Sequence, residues 1–231
     1  MSINGRKLVL FDIDGTLVSA GRAARESVLA ALRAVYAWEP DGLPLDFSGK
    51  TDPQIVRELV AGPVGSERCE ALLASALDLY LEELGRRLDP DLVVPKPGVP
   101  ELLHCLSEEP GVTLGLLTGN LERGARLKLE PPGFNRYFSF GAFGSDSADR
   151  YRLPAIAVAR AGASTGRSFA GKAIVVVGDS VHDVACGRSL GVRAVAVATG
   201  PTSAARLATE SPDALFEDFA DTERALEAIL R

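Results

Sequence analysis

Short runs of consecutive apolar residues divide the sequence into regular segments. Runs without polar alternation are typical of buried strands, and four occur, at residues 7–11, 113–117, 173–177 and 194–197. Weaker strand-like runs, which we place at the edges of the same sheet, occur at residues 138–143 and 214–216. Apolar residues spaced three and four positions apart predict helices at residues 100–106, 121–129, 153–161 and 222–230.

The region from residue 18 to residue 90 differs from the rest because it has helical periodicity and no convincing strand. Val28 and Leu32, for example, share one helical face there. Strands that alternate with helices elsewhere predict an α/β fold, a Rossmann-like parallel sheet with helices on both faces. We therefore predict two domains, an α/β core formed by residues 1–17 and 91–231 and an inserted all-helical cap domain formed by residues 18–90.

Composition and charge narrow the possible partners. The chain has 231 residues and 46% hydrophobic content, which suits a globular protein with a filled core. Its net charge of -6 comes without a block of like charges, which argues against a nucleic-acid partner. Cys69, Cys105 and Cys186 follow no metal-binding spacing, and a reducing cytoplasm suits them best. No run approaches a membrane span, and no feature predicts an oligomeric state.

Polar clusters follow directly after three of the predicted strands. They read DIDGT at residues 12–16, TGN at residues 118–120 and GDSVHD at residues 178–183. In an open parallel sheet, ligands bind outside the carboxyl ends of the strands, so these clusters should face one crevice. That crevice would contain four aspartates, which are Asp12, Asp14, Asp179 and Asp183.

So many carboxylates in one crevice would repel one another unless a cation lay between them. Oxygen ligands without clustered histidine or cysteine select a magnesium-like ion, which commonly binds together with a substrate phosphate. The pattern therefore predicts Mg²⁺ as cofactor and phosphoryl transfer as the reaction. One carboxylate can attack phosphorus, while a second carboxylate two residues on can protonate the leaving alcohol and later activate water.

The segments FDIDGTL, LLTGN and VVVGDSVHD, in this order and spacing, resemble the haloacid dehalogenase-like superfamily of phosphohydrolases over the whole chain. The resemblance implies that Asp12 is the nucleophile that forms an aspartyl-phosphate and that Asp14 is the general acid/base. It implies that Thr118, with the neighbouring amides of Gly119 and Asn120, donates hydrogen bonds to phosphate. It also implies a metal site formed by Asp12, the Asp14 backbone carbonyl, Asp179 and Asp183.

One basic position departs from the pattern of that superfamily, in which a lysine usually lies between the second and fourth motifs. The corresponding region here has no lysine. We place Arg150 in this position, because it resembles the Asp-Arg found before a helix in some phosphoglycolate-phosphatase-like members; Arg152, Lys128 and Lys172 are alternatives. In the predicted cap, Lys50 precedes a helix, and it either contacts the leaving-group side of the substrate or only belongs to a helix start.

The sequence therefore predicts a Mg²⁺-dependent phosphatase that hydrolyses a small phosphorylated metabolite, with a phosphoglycolate-like anion as the best candidate. A sugar phosphomutase of the same family is the first alternative, because it would return the phosphate of the aspartyl-phosphate to its substrate. A non-catalytic, phosphate-responsive module is the second alternative. The presence of all four aspartates together with Thr118 argues against a purely binding role.

Overall fold

The structure is a computed structural model that describes residues 6–38, 47–189 and 191–231. Its strands are β1 (Lys7–Phe11), β2 (Val18–Ser19), β3 (Val94–Pro95), β4 (Val112–Leu117), β5 (Gly141–Ala142), β6 (Ile174–Gly178), β7 (Arg193–Val197) and β8 (Ala214–Phe216). Its helices are α1 (Ala23–Tyr36), α2 (Asp52–Val64), α3 (Ser66–Arg87), α4 (Val99–Glu108), α5 (Glu122–Leu129), α6 (Leu153–Thr165), α7 (Val181–Ser189), α8 (Ala204–Ala208) and α9 (Thr222–Leu230).

Six parallel strands form the central sheet in the order β5-β4-β1-β6-β7-β8. β1 lies in the middle and is buried along its whole length, because both faces of the sheet are covered. Leu8 and Leu10 pack in one apolar cluster with residues of α6, whereas Val9 and Phe11 pack in another with residues of α4 and α9. The predicted α/β fold class is confirmed.

The predicted edge strand at residues 138–143 is too long. Only Gly141 and Ala142 pair with β4, and the chain before them forms a 3₁₀ turn at Phe134–Tyr137. Phe138 is almost fully buried and packs edge-on against Phe11, 6.2 Å between ring centroids. The three phenylalanines of this segment therefore fill the core, and none of them lies in β5.

Helices α1, α2 and α3 form a helical unit with its own apolar cluster. Tyr36 and Tyr80 are among its fully buried side chains, and the Tyr36 hydroxyl donates a hydrogen bond to the carbonyl of Cys69 over 2.9 Å. Most of the described part of the region predicted to be helical is thus helical, but its first two residues, Val18 and Ser19, form strand β2, and residues 39–46 lie outside the described residues. The domain boundaries that we place at residues 17/18 and 90/91 stay a prediction.

Two chain segments connect the helical unit to the sheet, and they pair with each other. β2 and β3 form a two-stranded antiparallel ladder in which Val18 faces Pro95 and Ser19 faces Val94. Strands this short have no periodicity that a sequence pattern could detect. Within the described part of the chain, no helix combines the length and the apolar character needed to cross a bilayer.

Candidate active site

The three polar clusters meet at the carboxyl edge of the sheet. Asp12 directly follows β1, Thr118 directly follows β4 and Asp179 directly follows β6. A cavity of about 460 Å³ opens there, and its walls include residues of both the sheet edge and the helical unit. Cavities of this volume are typical of small-molecule sites. The sequence prediction of one shared crevice therefore agrees with the geometry.

Three carboxylates lie together at this edge of the sheet, and two of them, Asp12 and Asp179, line the cavity. Asp12, Asp179 and Asp183 are buried, and one oxygen from each lies within 4.8 Å of the others. Burial, followed by the repulsion from Asp183, raises the pKa of Asp12 to about 7. Burial and the charge of Asp12 likewise raise the pKa of Asp179 well above its ordinary value. This repulsion, in an all-oxygen donor set, fits a hard divalent cation bound between the three side chains.

Glycine is required at the turn that follows Asp14. Gly15 has a φ of +86°, which side chains rarely adopt, and a Cβ at this position would collide with the carboxylate of Asp179. Thr16, the next residue, donates a hydrogen bond from its hydroxyl to Asp179 Oδ1 over 3.0 Å. The DIDGT segment therefore both carries two aspartates and positions a third from a distant strand.

Arg150 lies beside the carboxylate cluster and is 3% exposed. Its Nη2 donates hydrogen bonds to Asp12 Oδ1 (3.3 Å) and to Asp183 Oδ1. Burial alone would lower the pKa of Arg150, but Asp183 and Asp12 outweigh it and raise that pKa, so the guanidinium stays charged. Asp149 positions the turn that carries Arg150, because its carboxylate accepts a hydrogen bond from the Tyr151 amide over 3.0 Å.

A second buried cation, Lys128, reaches the site from α5. Its Nζ donates hydrogen bonds to both carboxylate oxygens of Asp14 (2.9 and 2.7 Å) and to Asn120 Oδ1 (2.6 Å). Asn120 Nδ2 donates to Asp14 Oδ2 over 2.7 Å. Of the other cations considered for the basic position, Arg152 is exposed and Lys172 forms an ion pair with Asp213, outside the cavity lining.

The predicted phosphate-binding loop is closely packed against the helical unit. Thr118 is fully buried, and its hydroxyl accepts a hydrogen bond from Asn120 Nδ2 over 2.9 Å. A Cβ at Gly119 would collide with the backbone carbonyl of Lys50, so only glycine fits there. Lys50 lines the cavity, as predicted for a substrate contact, but its ammonium is paired with Glu58 Oε2 at 2.6 Å.

Asp52 is a site residue that the sequence pattern did not reveal. Thr51, the residue before it, is the N-cap of α2, since its hydroxyl accepts a hydrogen bond from the Gln54 amide over 3.2 Å. The Asp52 carboxylate instead accepts a hydrogen bond from the Leu121 amide over 2.7 Å. Burial raises the pKa of Asp52 to about 6, against the lowering effect of Lys128.

The fold and the site together define an α/β enzyme with a small-molecule site, in which buried carboxylates and two buried cations converge on one cavity. Comparison with known proteins identifies the family. The chain belongs to the haloacid dehalogenase-like hydrolases, whose family model matches residues 6–191. The family resemblance that the three motifs predict is therefore confirmed, and with it the prediction of a hydrolase.

Individual relatives agree with this assignment. The phosphoglycolate phosphatase of Pseudomonas fluorescens is 28% identical over 222 residues, which cover 92% of this chain and 77% of the relative. The "Probable phosphatase IndB" of Dickeya dadantii is 27% identical over 98% of this chain and 96% of the relative. Among solved structures, a "Putative beta-phosphoglucomutase" from Bacteroides vulgatus has the same fold, with a TM-score of 0.71, 21% identity and coverage of 99% and 90%.

Proposed function

We propose that this protein is a Mg²⁺-dependent phosphatase that hydrolyses a small phosphomonoester through an aspartyl-phosphate at Asp12. The observation that carries the proposal is the buried cluster of Asp12, Asp179 and Asp183 beside a cavity of about 460 Å³ that Arg150 and Lys128 also line. A nucleophilic carboxylate must stay ionised beside a phosphate dianion, and nearby cations make this possible. The relatives named phosphoglycolate phosphatase support the same class of reaction.

The two carboxylates of the DIDGT segment have different roles in this reaction: Asp12 is the nucleophile and Asp14 is the general acid/base. Asp12 attacks phosphorus, so that an Asp12–phosphorus bond forms while the bond to the ester oxygen breaks and Asp14 gives its proton to the leaving alkoxide. Asp14 then takes a proton from water, which attacks phosphorus and releases inorganic phosphate and the free Asp12 carboxylate. Asp14 can serve both steps because its side chain is 43% exposed and lines the cavity.

The remaining residues of the site hold charge and phosphate. Asp12, the Asp14 backbone carbonyl, Asp179 and Asp183 would hold Mg²⁺, which would neutralise charge on the phosphate and on these carboxylates. Thr118 and the amides of Gly119 and Asn120 would donate hydrogen bonds to the phosphate oxygens. Arg150 keeps Asp12 and Asp183 paired with a cation, and Lys128 orients Asp14.

We propose a phosphoglycolate-like anion as substrate, because the cavity has a further cation on its helical side. Arg25, on α1, lines the cavity, and among the described residues it contacts no acid. A second negative group on the leaving-group side would provide a partner for this cation. Arg25→Gln should therefore raise KM for phosphoglycolate and leave KM for an uncharged-alcohol phosphomonoester unchanged, whereas exposed Arg22→Gln should change neither.

Phosphate release from a panel of phosphomonoesters tests the proposal. The panel contains phosphoglycolate, sugar phosphates and nucleotides, each measured with Mg²⁺ and with chelator, and Asp12→Asn protein controls for contaminating phosphatases. Mg²⁺-dependent release concentrated on phosphoglycolate is the expected result. Release from none of the compounds would contradict a phosphatase. Turnover of a sugar phosphate only with a bisphosphate activator, without phosphate release, would instead establish the mutase alternative.

A further inference from the structure

The first turn of α2 is docked on the sheet domain by three hydrogen bonds. Asp52 Oδ2 accepts from the Leu121 amide (2.7 Å), and the Asp52 amide donates to the Gly119 carbonyl (2.8 Å). The Thr51 hydroxyl donates to the Ala148 carbonyl (2.8 Å). Two of these bonds reach the loop between β4 and α5, and the third reaches the segment before α6. The helical unit is therefore attached directly to the loop that carries the predicted phosphate-binding residues.

Stabilising helix α2 does not explain why a carboxylate is buried at this contact. Thr51 already caps the helix, so a carboxylate at position 52 is not needed for that purpose. Burying a charged group is costly unless it is well hydrogen-bonded, and Asp52 is only 7% exposed. Its hydrogen bond to the Leu121 amide is of the stronger, charge-assisted kind. The contact is also tight, since Gly119 has no room for a side chain against Lys50.

Leu121 and Gly119 connect Asp52 to the rest of the site. Leu121 directly precedes α5, the helix from which Lys128 reaches both oxygens of Asp14. Gly119 lies between Thr118 and Asn120, and Asn120 also contacts Asp14. Residue 52 holds Leu121 through its carboxylate and Gly119 through its backbone amide, so it fixes both segments that carry the groups that hold Asp14.

We infer that Asp52 is a positioning residue that clamps the helical unit onto the loop at residues 118–121 and thereby keeps Lys128 and Asn120 on Asp14. The clamp itself is a structural property. Its catalytic consequence rests on the proposed function, because it matters only if Asp14 is the acid/base of the reaction.

Hydrogen exchange of the intact protein, without substrate, tests the clamp. In Asp52→Ala the amides of residues 118–125 should exchange about tenfold faster or more, because a charge-assisted hydrogen bond is lost. Asp52→Asn keeps an oxygen acceptor for the Leu121 amide, so exchange there should be no faster than in wild type. Glu67→Ala removes an exposed acid from the first turn of α3 and is the matched control, with no expected change. Wild-type exchange rates in Asp52→Ala would overturn the clamp.

Kinetics separate a positioning role from general stability. Asp52→Ala should lower kcat about tenfold to a hundredfold with a smaller change in KM, and Asp52→Asn should recover most of the lost kcat. Faster exchange with unchanged kcat would overturn the positioning role. If wild-type protein released no phosphate while exchange changed as expected, the proposed function would fail and the clamp would stand. Should Asp52→Ala not fold, Asp52→Ser, whose hydroxyl is too short to reach Leu121, carries the same expectations.

Discussion

Asp12 and Asp14 are two residues apart, yet they lie in different surroundings. Asp12 is buried beside two further carboxylates, and its charged partner is the equally buried Arg150. The carboxylate of Asp14 faces the cavity, where Lys128 and Asn120 hold it by hydrogen bonds. Ile13, between them, is fully buried in the main apolar cluster. Successive side chains of an extended chain point to opposite sides, so Asp12 and Asp14 face the site while Ile13 packs in the core.

The comparison shows how one residue type can take two roles in one reaction. The surroundings of Asp12 fix its carboxylate and shield it from bulk water, which suits a nucleophile. The surroundings of Asp14 orient its carboxylate but leave it accessible to a leaving group and to water, which suits a group that gives and takes protons. If the difference is functional, substitutions around Asp12 and substitutions around Asp14 should impair the reaction in different ways.

Asp12→Asn should have the largest effect, a loss of turnover of at least about a thousandfold, because the nucleophile is removed. The fold should survive, since burial and Asp183 raise the pKa of Asp12 and a neutral side chain relieves that cost. Steady-state phosphate release and thermal melting measure the two expectations. Substantial remaining turnover would exclude Asp12 as the nucleophile.

Asp14→Asn should slow turnover by about a hundredfold to ten-thousandfold, the usual contribution of a general acid/base. Because hydrolysis of the intermediate also loses its base, a substrate with a good leaving group should give a burst followed by a slow phase. Rapid-quench kinetics with an aryl phosphate would reveal that burst. Equal losses for good and poor leaving groups, without a burst, would argue against separate roles for the two aspartates.

Arg150→Ala should reduce both turnover and stability, because Asp12 and Asp183 lose their shared cationic partner. Breaking a buried ion pair in this way costs about 3 kcal/mol or more of the free energy of unfolding. Exposed Arg152→Ala, two residues on, is the matched control and should behave as wild type. Urea denaturation and phosphate release give both quantities. An unchanged rate in Arg150→Ala would move the basic role to Lys128.

The smallest expected effect is a pH dependence of stability caused by Asp52, the residue that we infer positions the groups around Asp14. Burial raises the pKa of Asp52 from 3.8 to about 6, so its protonated form favours the fold. The resulting stabilisation is complete below pH 3.8 and is lost as the pH rises through about 6. Asp52→Asn should therefore gain stability over wild type between these pH values, by up to about 3 kcal/mol. Thermal melts from pH 4 to pH 7 test this, and a constant difference would contradict it.

Most of the fold could be predicted from the sequence because β1, β4, β6 and β7 are continuous apolar runs that are buried on both faces. Each begins or ends within one residue of its prediction. The pattern missed α7, whose segment VHDVACGRS mixes small and polar residues without an apolar stripe. It also missed β2 and β3, because two residues cannot display an alternation.

The four aspartates of the three motifs could be predicted because Asp12 and Asp179 directly follow strands of a parallel sheet and Asp14 and Asp183 lie in the segments that continue from them. From the sequence, Lys128 could be named only as an alternative to Arg150 for the basic position. Its contact with Asp14 joins residues 114 positions apart and depends on how α5 packs. The contact of Asp52 with Leu121 depends on how the helical unit is docked on the sheet, and local sequence does not encode that arrangement. The predicted metal and catalytic roles stay predictions until they are measured.

Trapping the intermediate tests the central claim most directly. Asp14→Asn protein is mixed with substrate and Mg²⁺, quenched with acid and reduced with borohydride, which converts an aspartyl-phosphate to homoserine. Peptide mass spectrometry then locates the change in the segment that begins at Lys7. Homoserine at position 12, absent without substrate and absent in Asp12→Asn, is the predicted result. A reduced residue elsewhere, or phosphate release without any reduced aspartate, would contradict the assignment of Asp12 as nucleophile.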